Sequence, residues 1–142
     1  MSKISDVKAI QVFDSRGIPT ISCKITLENQ ISASAMVPSG ASTGSKEALE
    51  LRDNDLIYNG KGVLKAILNI NNKLAPLIIG KDPNNQVEID KILIDFDGTD
   101  DKSSMGANSI LAISLANSHV AAKSKGLNLY EHFSKEIRIF MT

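Results

Sequence analysis

The sequence predicts an α+β fold, in which a three-stranded antiparallel meander is followed by about four helices. Apolar and polar residues alternate through residues 20–37, which is the pattern of half-buried strands. Beyond Gly44 the apolar residues recur instead with the spacing of helices. The gaps between the predicted strands are short, and short gaps favour antiparallel neighbours.

The first predicted strand covers residues 7–13 and ends at the turn sequence Asp14-Ser15-Arg16-Gly17. The second covers residues 20–28, where the apolar side alternates regularly with polar residues. A two-residue break, Asn29-Gln30, separates it from a third run over residues 31–37. This arrangement predicts a β-hairpin, although Gln30 stands where a glycine is usual.

Helical spacing predicts the second part of the domain. Residues 47–52 are helix-forming, and apolar residues over 63–77 fall on one helical stripe that Gly80 ends. Asn85 followed by Glu88 resembles a capping box for a further helix.

The longest helix is predicted over residues 106–125, and its apolar residues nearly surround it. Such a helix requires burial on most of its sides, and one small sheet covers only one of them. The sequence therefore predicts a further packing partner, unless this is the ordinary central helix of a small α+β domain.

Composition excludes several classes of protein. The 142 residues carry 16 basic and 16 acidic side chains, so the formal net charge is zero. This balance argues against a nucleic-acid interface or a polybasic membrane patch. We expect neither a nucleic-acid partner nor a membrane span, because no apolar run approaches the roughly 20 residues that cross a bilayer. A single cysteine and no apolar leader predict a soluble cytoplasmic protein.

The segment from Pro38 to Gly44, Pro-Ser-Gly-Ala-Ser-Thr-Gly, is the best candidate for a chemical role. Its glycines let the backbone approach a ligand closely, and its oxygens suit Mg²⁺. It is not a phosphate-binding P-loop, because Ser45 stands where that motif requires its second glycine. On composition alone, a plain Ser/Gly loop between strand and helix is the favoured interpretation.

Other polar groups have weaker patterns. The acidic stretch 95–101 has its glycine at the wrong position for an EF-hand, so we interpret it as a solvated turn. His119 and His132 lack a metal-ligand spacing and are interpreted as surface or cap residues. Cys23 lies on the apolar side of its strand and is expected to be a buried, inert thiol.

Taken in order, these pieces resemble the N-terminal domain of enolase, the glycolytic phosphopyruvate hydratase. No single stretch is specific, but seven of them occur in the right order and spacing over about residues 4–133. The matching stretches are 14–17, 37–44, 47–53, 60–63, 97–99, 106–108 and 129–130.

The resemblance implies a meander and helices packed against a much larger C-terminal barrel, which is absent from this chain. It also implies a lyase that dehydrates 2-phosphoglycerate to phosphoenolpyruvate, uses two Mg²⁺ ions per active site and forms homodimers. In that family the lysine base, the glutamate acid and the metal-binding carboxylates all belong to the barrel. We therefore expect no catalytic residue in this chain and no activity from it alone.

The site residues implied by the resemblance lie in one loop. Ser42 matches the serine that ligates the second Mg²⁺ through its hydroxyl and carbonyl. Gly40 and Ala41 match the lid that closes over the substrate. Arg16 matches an arginine near the subunit and domain interfaces, so it is given a structural role. The whole substrate lid loop comprises Ser39, Gly40, Ala41, Ser42, Thr43 and Gly44.

Three departures from the family pattern stand out. Ile18 replaces the usual Asn, Ala112 replaces the usual Gly, and the resemblance fades after Phe133. We therefore expect a domain over residues 1–133 and a divergent or truncated tail over 134–142. Such a tail is compatible with a truncated gene product, a frameshift or a fragment of a longer protein. The alternative function is a free-standing, non-catalytic module, or a truncated remnant, that pairs with an enolase barrel or another protein.

Overall fold

The structure is a computed structural model that describes residues 2–38 and 48–134. The predicted lid loop, Ser39 to Gly44, lies outside the described residues, as does most of the expected tail. The described residues show both flanks of the loop.

The strands form the predicted meander. They are β1, Ile4–Phe13; β2, Pro19–Leu27; and β3, Ser32–Met36. The sheet order is β1-β2-β3 with both pairs antiparallel. Ala9, Cys23 and Ala35 stand opposite one another across the three strands and are all buried, so they mark the face turned to the core.

Residues 14–18 join β1 to β2, with Asp14 and Ile18 paired across a three-residue tip. The Asp14 N–H donates to the Ile18 carbonyl at 2.9 Å, and the Gly17 N–H donates to the Asp14 carbonyl at 2.9 Å. Gly17 closes the loop with φ 77°, in the left-handed region. This is the hairpin in which a turn is followed by one left-handed residue, the position that glycine fills without strain.

The loop from β2 to β3 repeats this geometry without a glycine. The Leu27 N–H donates to Ile31 at 2.8 Å, and the Gln30 N–H donates to Leu27 at 2.9 Å. Gln30 takes the left-handed position with φ 72°. The predicted hairpin is confirmed, and Gln30 occupies the position that favours glycine.

Within residues 48–134, four α-helices follow the sheet. A short left-handed turn over Ile57–Gly60 precedes them, and residues 129–134 are also helical. The helices are α1, Leu64–Asn69; α2, Ala75–Ile78; α3, Gln86–Asp97; and α4, Ala107–Ser124, with a π-helical turn over Ile70–Leu74 between α1 and α2.

The π-helical turn has two visible reasons. Pro76 has no N–H and its ring crowds the preceding turn, which a wider turn relieves. Asn71 lies in the turn and pairs with the outer edge of β1: it accepts from the Ala9 N–H at 2.8 Å and donates to the Ala9 carbonyl at 3.1 Å. The helical stretch thus covers an edge that would otherwise offer free backbone groups.

The predicted ends of α2 and α3 are confirmed. Gly80, with φ 89°, follows α2 and donates to the Ile4 carbonyl at 2.8 Å. Asn85 caps α3 by accepting from the Glu88 N–H at 3.3 Å, and its side-chain amide donates to the Glu88 carboxylate at 2.9 Å. The predicted N-cap is confirmed, but the return bond differs from that of a capping box, because the Asn85 backbone N–H donates to the Asp82 carbonyl at 3.1 Å.

The prediction of a helix over residues 47–52 is wrong for the part that the structure describes. Residues 48–52 are not helical. The Leu49 N–H donates to the Asp101 carbonyl at 2.8 Å, and the Leu49 carbonyl accepts from the Ala107 N–H at 2.8 Å. Bonds to a distant part of the chain replace those that a helix would make within itself, so tertiary contacts override local propensity.

The helix α4 has several packing partners within this domain, as the alternative of an ordinary central helix predicts. Its faces contact β2 and β3 on one side and α1, the π-helical turn and α3 on others. Ala112, Ile113, Ala116 and Val120 are fully buried, whereas Leu111 is 41% exposed. The apolar circumference of α4 is thus largely covered by the domain's own elements, and α4 is its central helix.

Two smaller predictions have different outcomes. Cys23 is fully buried, and burial raises the pKa of its thiol to about 12, so the inert assignment is confirmed. His132 is only 2% exposed, so its assignment as a surface residue is wrong. Its ring nitrogen lies 3.2 Å from the Lys125 ammonium.

Within residues 2–38 and 48–134, no helix is long and apolar enough to cross a membrane.

Candidate functional site

Residues 37 and 48–53 hold the two ends of the segment that contains the predicted lid loop. The upstream end is fixed at the start of β2. The Val37 N–H donates to the Ile21 carbonyl at 2.9 Å, and the Thr20 hydroxyl donates to the Val37 carbonyl at 2.8 Å. Thr20 and Val37 are both buried, so this attachment is shielded from water.

The downstream end is fixed at the start of α4. The Asn108 side chain accepts from the Leu51 N–H at 2.9 Å and donates to the Leu51 carbonyl at 3.0 Å. The Leu49 carbonyl also accepts from the Ala107 N–H, so residues 49–51 are hydrogen-bonded to the first residues of α4.

Gly106 allows this close approach. It precedes α4 with φ 96°, and a Cβ at this position would lie 2.6 Å from the Leu51 Cβ. Both the backbone conformation and the contact therefore require a residue without a side chain. The stretch Gly106-Ala107-Asn108 thus forms one unit with residues 49–51.

Arg52 joins the two ends. Its guanidinium donates to the Pro19 carbonyl at 2.6 Å and to the Lys61 carbonyl at 2.8 Å, and it pairs with Glu50 at 3.0 Å. Pro19 is the neighbour of Thr20, which holds Val37. Both ends of the 39–47 segment are therefore attached to the first two residues of β2. We call the attached residues, Thr20, Val37, Leu49, Leu51, Arg52 and Asn108, the loop frame.

Asp53 extends the loop frame to α1. Its carboxylate accepts from the Leu64 N–H at 3.0 Å and the Lys65 N–H at 2.9 Å, which are free donors at a helix N-terminus. Its own N–H donates to the Gly62 carbonyl at 2.9 Å. Asp53 therefore caps α1 although it precedes that helix by several residues. A Cβ on Gly62 would lie 2.6 Å from the Asp53 carboxylate, so this arrangement favours glycine at position 62.

Asp97 organises the turn that supplies the Asp101 carbonyl to the loop frame. It is 5% exposed, and it accepts from the N–H groups of Met105, at 2.6 Å, and Thr99, at 3.0 Å, and from the Thr99 hydroxyl. Burial raises its pKa, but the hydrogen bonds from Met105 and Thr99 outweigh burial and lower it below the ordinary value. The prediction of a merely solvated turn is therefore wrong for Asp97.

These carboxylates do not form a metal centre. Among residues 2–38 and 48–134, no group of three or more His, Cys, Asp or Glu side chains is placed to hold a metal ion. The carboxylate oxygens of Asp53 and Asp97 accept hydrogen bonds from backbone N–H groups. Of the predicted site residues, only Arg16 is described: its side chain is 54% exposed in the β1–β2 loop, 3.5 Å from the Asp14 carboxylate.

Sequence patterns do not show how the loop frame is held together or how it is joined to α1. Arg52, Asp53 and Asn108 stand within the matching stretches, but no pattern assigns a role to them. The signal was present, since the matching stretches 60–63 and 106–108 contact the described part of the stretch 47–53. Stretches that are distant in sequence but match the same family pattern are candidates for contact with one another in the folded chain.

The comparison with protein families bears on this arrangement directly. Residues 4–133 match the family described as enolase, N-terminal domain. The matched range includes all three strands, α1 to α4 and every residue of the loop frame. This chain therefore belongs to the enolase N-terminal domain family.

Proposed function

We propose that this chain is the N-terminal, lid-bearing domain of an enolase. In this role it acts with a C-terminal barrel in the reversible dehydration of 2-phosphoglycerate to phosphoenolpyruvate, a step of glycolysis in the cytoplasm. The loop frame is the observation that supports the proposal most. It attaches both ends of the 39–47 segment to the start of β2, as a loop that must return to one place requires.

In this proposal the chain contributes positioning and exclusion of water. Ser39, Thr43 and Gly44 belong to the lid loop, and Gly40 and Ala41 cover the substrate. A closed loop strengthens electrostatic interactions in the site because it removes water from them. The loop frame restricts where that loop begins and ends, which reduces the conformational entropy lost on closure.

Mg²⁺ would supply charge stabilisation for the dianionic intermediate of this reaction. Ser42, through its hydroxyl and carbonyl, is the ligand that we assign in this chain. The described residues do not offer another set of metal ligands, because their buried carboxylates accept hydrogen bonds from backbone N–H groups. The remaining ligands, the base and the acid would come from the barrel, so the chain alone is expected to be inactive.

The remaining assignments follow the family. Residues 1–133 would be the domain, and residues 134–142 a divergent tail. Arg16, exposed in the β1–β2 loop, would have a structural role near the subunit and domain interfaces of a homodimer.

The test compares this chain with a fusion of its residues 1–133 to the barrel of a known enolase. Formation of phosphoenolpyruvate is followed by its ultraviolet absorbance, with 2-phosphoglycerate and Mg²⁺ present. We expect turnover from the fusion and none from the chain or the barrel alone. Turnover by the chain alone would contradict the proposal, and a folded but inactive fusion would favour a non-catalytic module.

A further inference from the structure

Residues 54–60 form a strained loop between the loop frame and α1. Tyr58 and Asn59 both have left-handed backbones, with φ, ψ of 52°, 35° and 55°, 36°, and Gly60 follows with φ 77°. Two hydrogen bonds close the loop: Asn54 N–H to the Gly60 carbonyl at 2.9 Å, and Lys61 N–H to the Tyr58 carbonyl at 3.0 Å. Consecutive left-handed residues other than glycine are costly, so this loop is poised to open.

The loop is also exposed. Leu56 is 99% exposed, and Asn59 lies at the surface among exposed neighbours. The Asn59 side chain makes no hydrogen bond to any part of the chain that the structure describes. Its amide is therefore accessible to water and free to rotate.

We propose that Asn59 is a site of spontaneous deamidation, a covalent modification that requires water and no enzyme. Gly60 follows it in sequence, and a glycine nitrogen has no neighbouring Cβ to obstruct its attack on the preceding side chain. Opening of the strained turn releases the Asn59 backbone from ψ 36° and lets it rotate toward the reactive geometry.

Deamidation proceeds through a cyclic imide. The deprotonated backbone nitrogen of Gly60 attacks the Asn59 Cγ, a new N–C bond forms, and the Cγ–Nδ2 bond breaks. The amide nitrogen leaves as ammonia and takes up a proton in place of the one lost from Gly60. Water then opens the resulting succinimide at either carbonyl, which leaves aspartate or isoaspartate at position 59 and one added negative charge.

Modification would change the surface next to the loop frame. Isoaspartate inserts an additional carbon into the backbone, so the Asn54–Gly60 hydrogen bond would no longer fit. The edge-to-face contact of Tyr58 with Phe13, now 5.2 Å between ring centroids, depends on the same turn. The new charge would also lie two residues from Lys61.

The experiment incubates the chain at neutral and mildly alkaline pH and follows the acidic form by isoelectric focusing. The formal net charge is zero, so one added charge separates the forms clearly. Peptide mapping by mass spectrometry then locates the aspartate and isoaspartate products. We expect modification at Asn59, with a rate that rises with pH because the attacking nitrogen must lose its proton.

Asn54 is an internal control. It is exposed in the same loop and also left-handed, with φ 57°, but Asp55 follows it. We expect Asn59→Gln to abolish the acidic form and Asn54→Gln to leave it unchanged. An acidic form that persists in Asn59→Gln, equal rates at both asparagines, or an unmodified Asn59 in the mapped peptides would each overturn the proposal.

Discussion

Asn108 and Leu51 are 57 residues apart and exchange two hydrogen bonds, one in each direction, through one side-chain amide. Asn108 lies in the first turn of α4 and is 4% exposed. The pair makes the N-terminus of α4 the hydrogen-bonding partner of a distant segment. It also explains why residues 48–52 are not helical although their composition favours a helix.

We expect Asn108→Ala to lower the free energy of unfolding of the chain by about 1–3 kcal/mol, because it leaves two backbone groups of Leu51 without partners. Urea denaturation of the purified chain measures this. Asn72→Ala is the matched control, since the Asn72 side chain is exposed and makes no hydrogen bond to the described residues. Equal stability of the two variants would show that the Leu51 pair contributes nothing.

Gln30 and Gly17 occupy the same position of two hairpin loops, with φ 72° and 77°. We expect Gln30→Gly to stabilise the chain by up to about 1 kcal/mol, because relief of left-handed strain exceeds the added entropy of the unfolded chain. The reciprocal change, Gly17→Gln, should destabilise it, although open space surrounds the Gly17 position. Thermal melts of both variants check this, and shifts of the same sign would contradict it.

Asp97 makes the stability of the chain depend on pH. Its folded pKa is lowered, so its contribution is present above the unfolded pKa of about 3.9 and is lost as the pH falls through the folded pKa. We expect Asp97→Asn to be less stable than the wild type near neutral pH. The difference should shrink as acidification protonates the wild-type carboxyl. Urea denaturation over this pH range tests it, and a pH-independent difference would contradict it.

Cys23 should be unreactive in the folded chain. Its thiol is fully buried and its pKa is raised to about 12, so almost no thiolate forms at mildly alkaline pH. We expect a thiol-reactive dye to label the chain only in denaturant. Rapid labelling of the native chain would show that the strand carrying Cys23 opens readily.

The strand part of the fold was predictable because its information is local. Alternation over residues 20–37 placed β2 and β3, and the turn at Asp14–Gly17 ended β1. The segment 48–52 was not predictable in this way. Its helical propensity is local as well, but Asn108 and Asp101 decide its conformation from more than 50 residues away. The burial of His132 likewise depends on packing that no local pattern shows.

The loop frame was likewise predictable only in part: its residue types were, and its hydrogen bonds were not. Its members were present in the stretches that resemble enolase, because a resemblance registers residue types and their order. The bonds between them could not be predicted, because Arg52 reaches Pro19, and Asn108 reaches Leu51, only once the sheet and α4 have packed. Asp97 was interpreted from its acidic neighbours, whereas its backbone donors, Met105 and Thr99, set its role.

The most direct test of the account is a Mg²⁺ titration of the fusion of residues 1–133 to an enolase barrel, with and without Ser42→Ala. Ser45→Ala is the matched control for loss of a nearby hydroxyl. We expect Ser42→Ala to raise the Mg²⁺ requirement and lower kcat, by up to about a hundredfold if closure of the loop is misplaced. Its melting temperature should be nearly unchanged, and Ser45→Ala should behave as wild type. Wild-type activity of Ser42→Ala at every Mg²⁺ concentration would contradict the account.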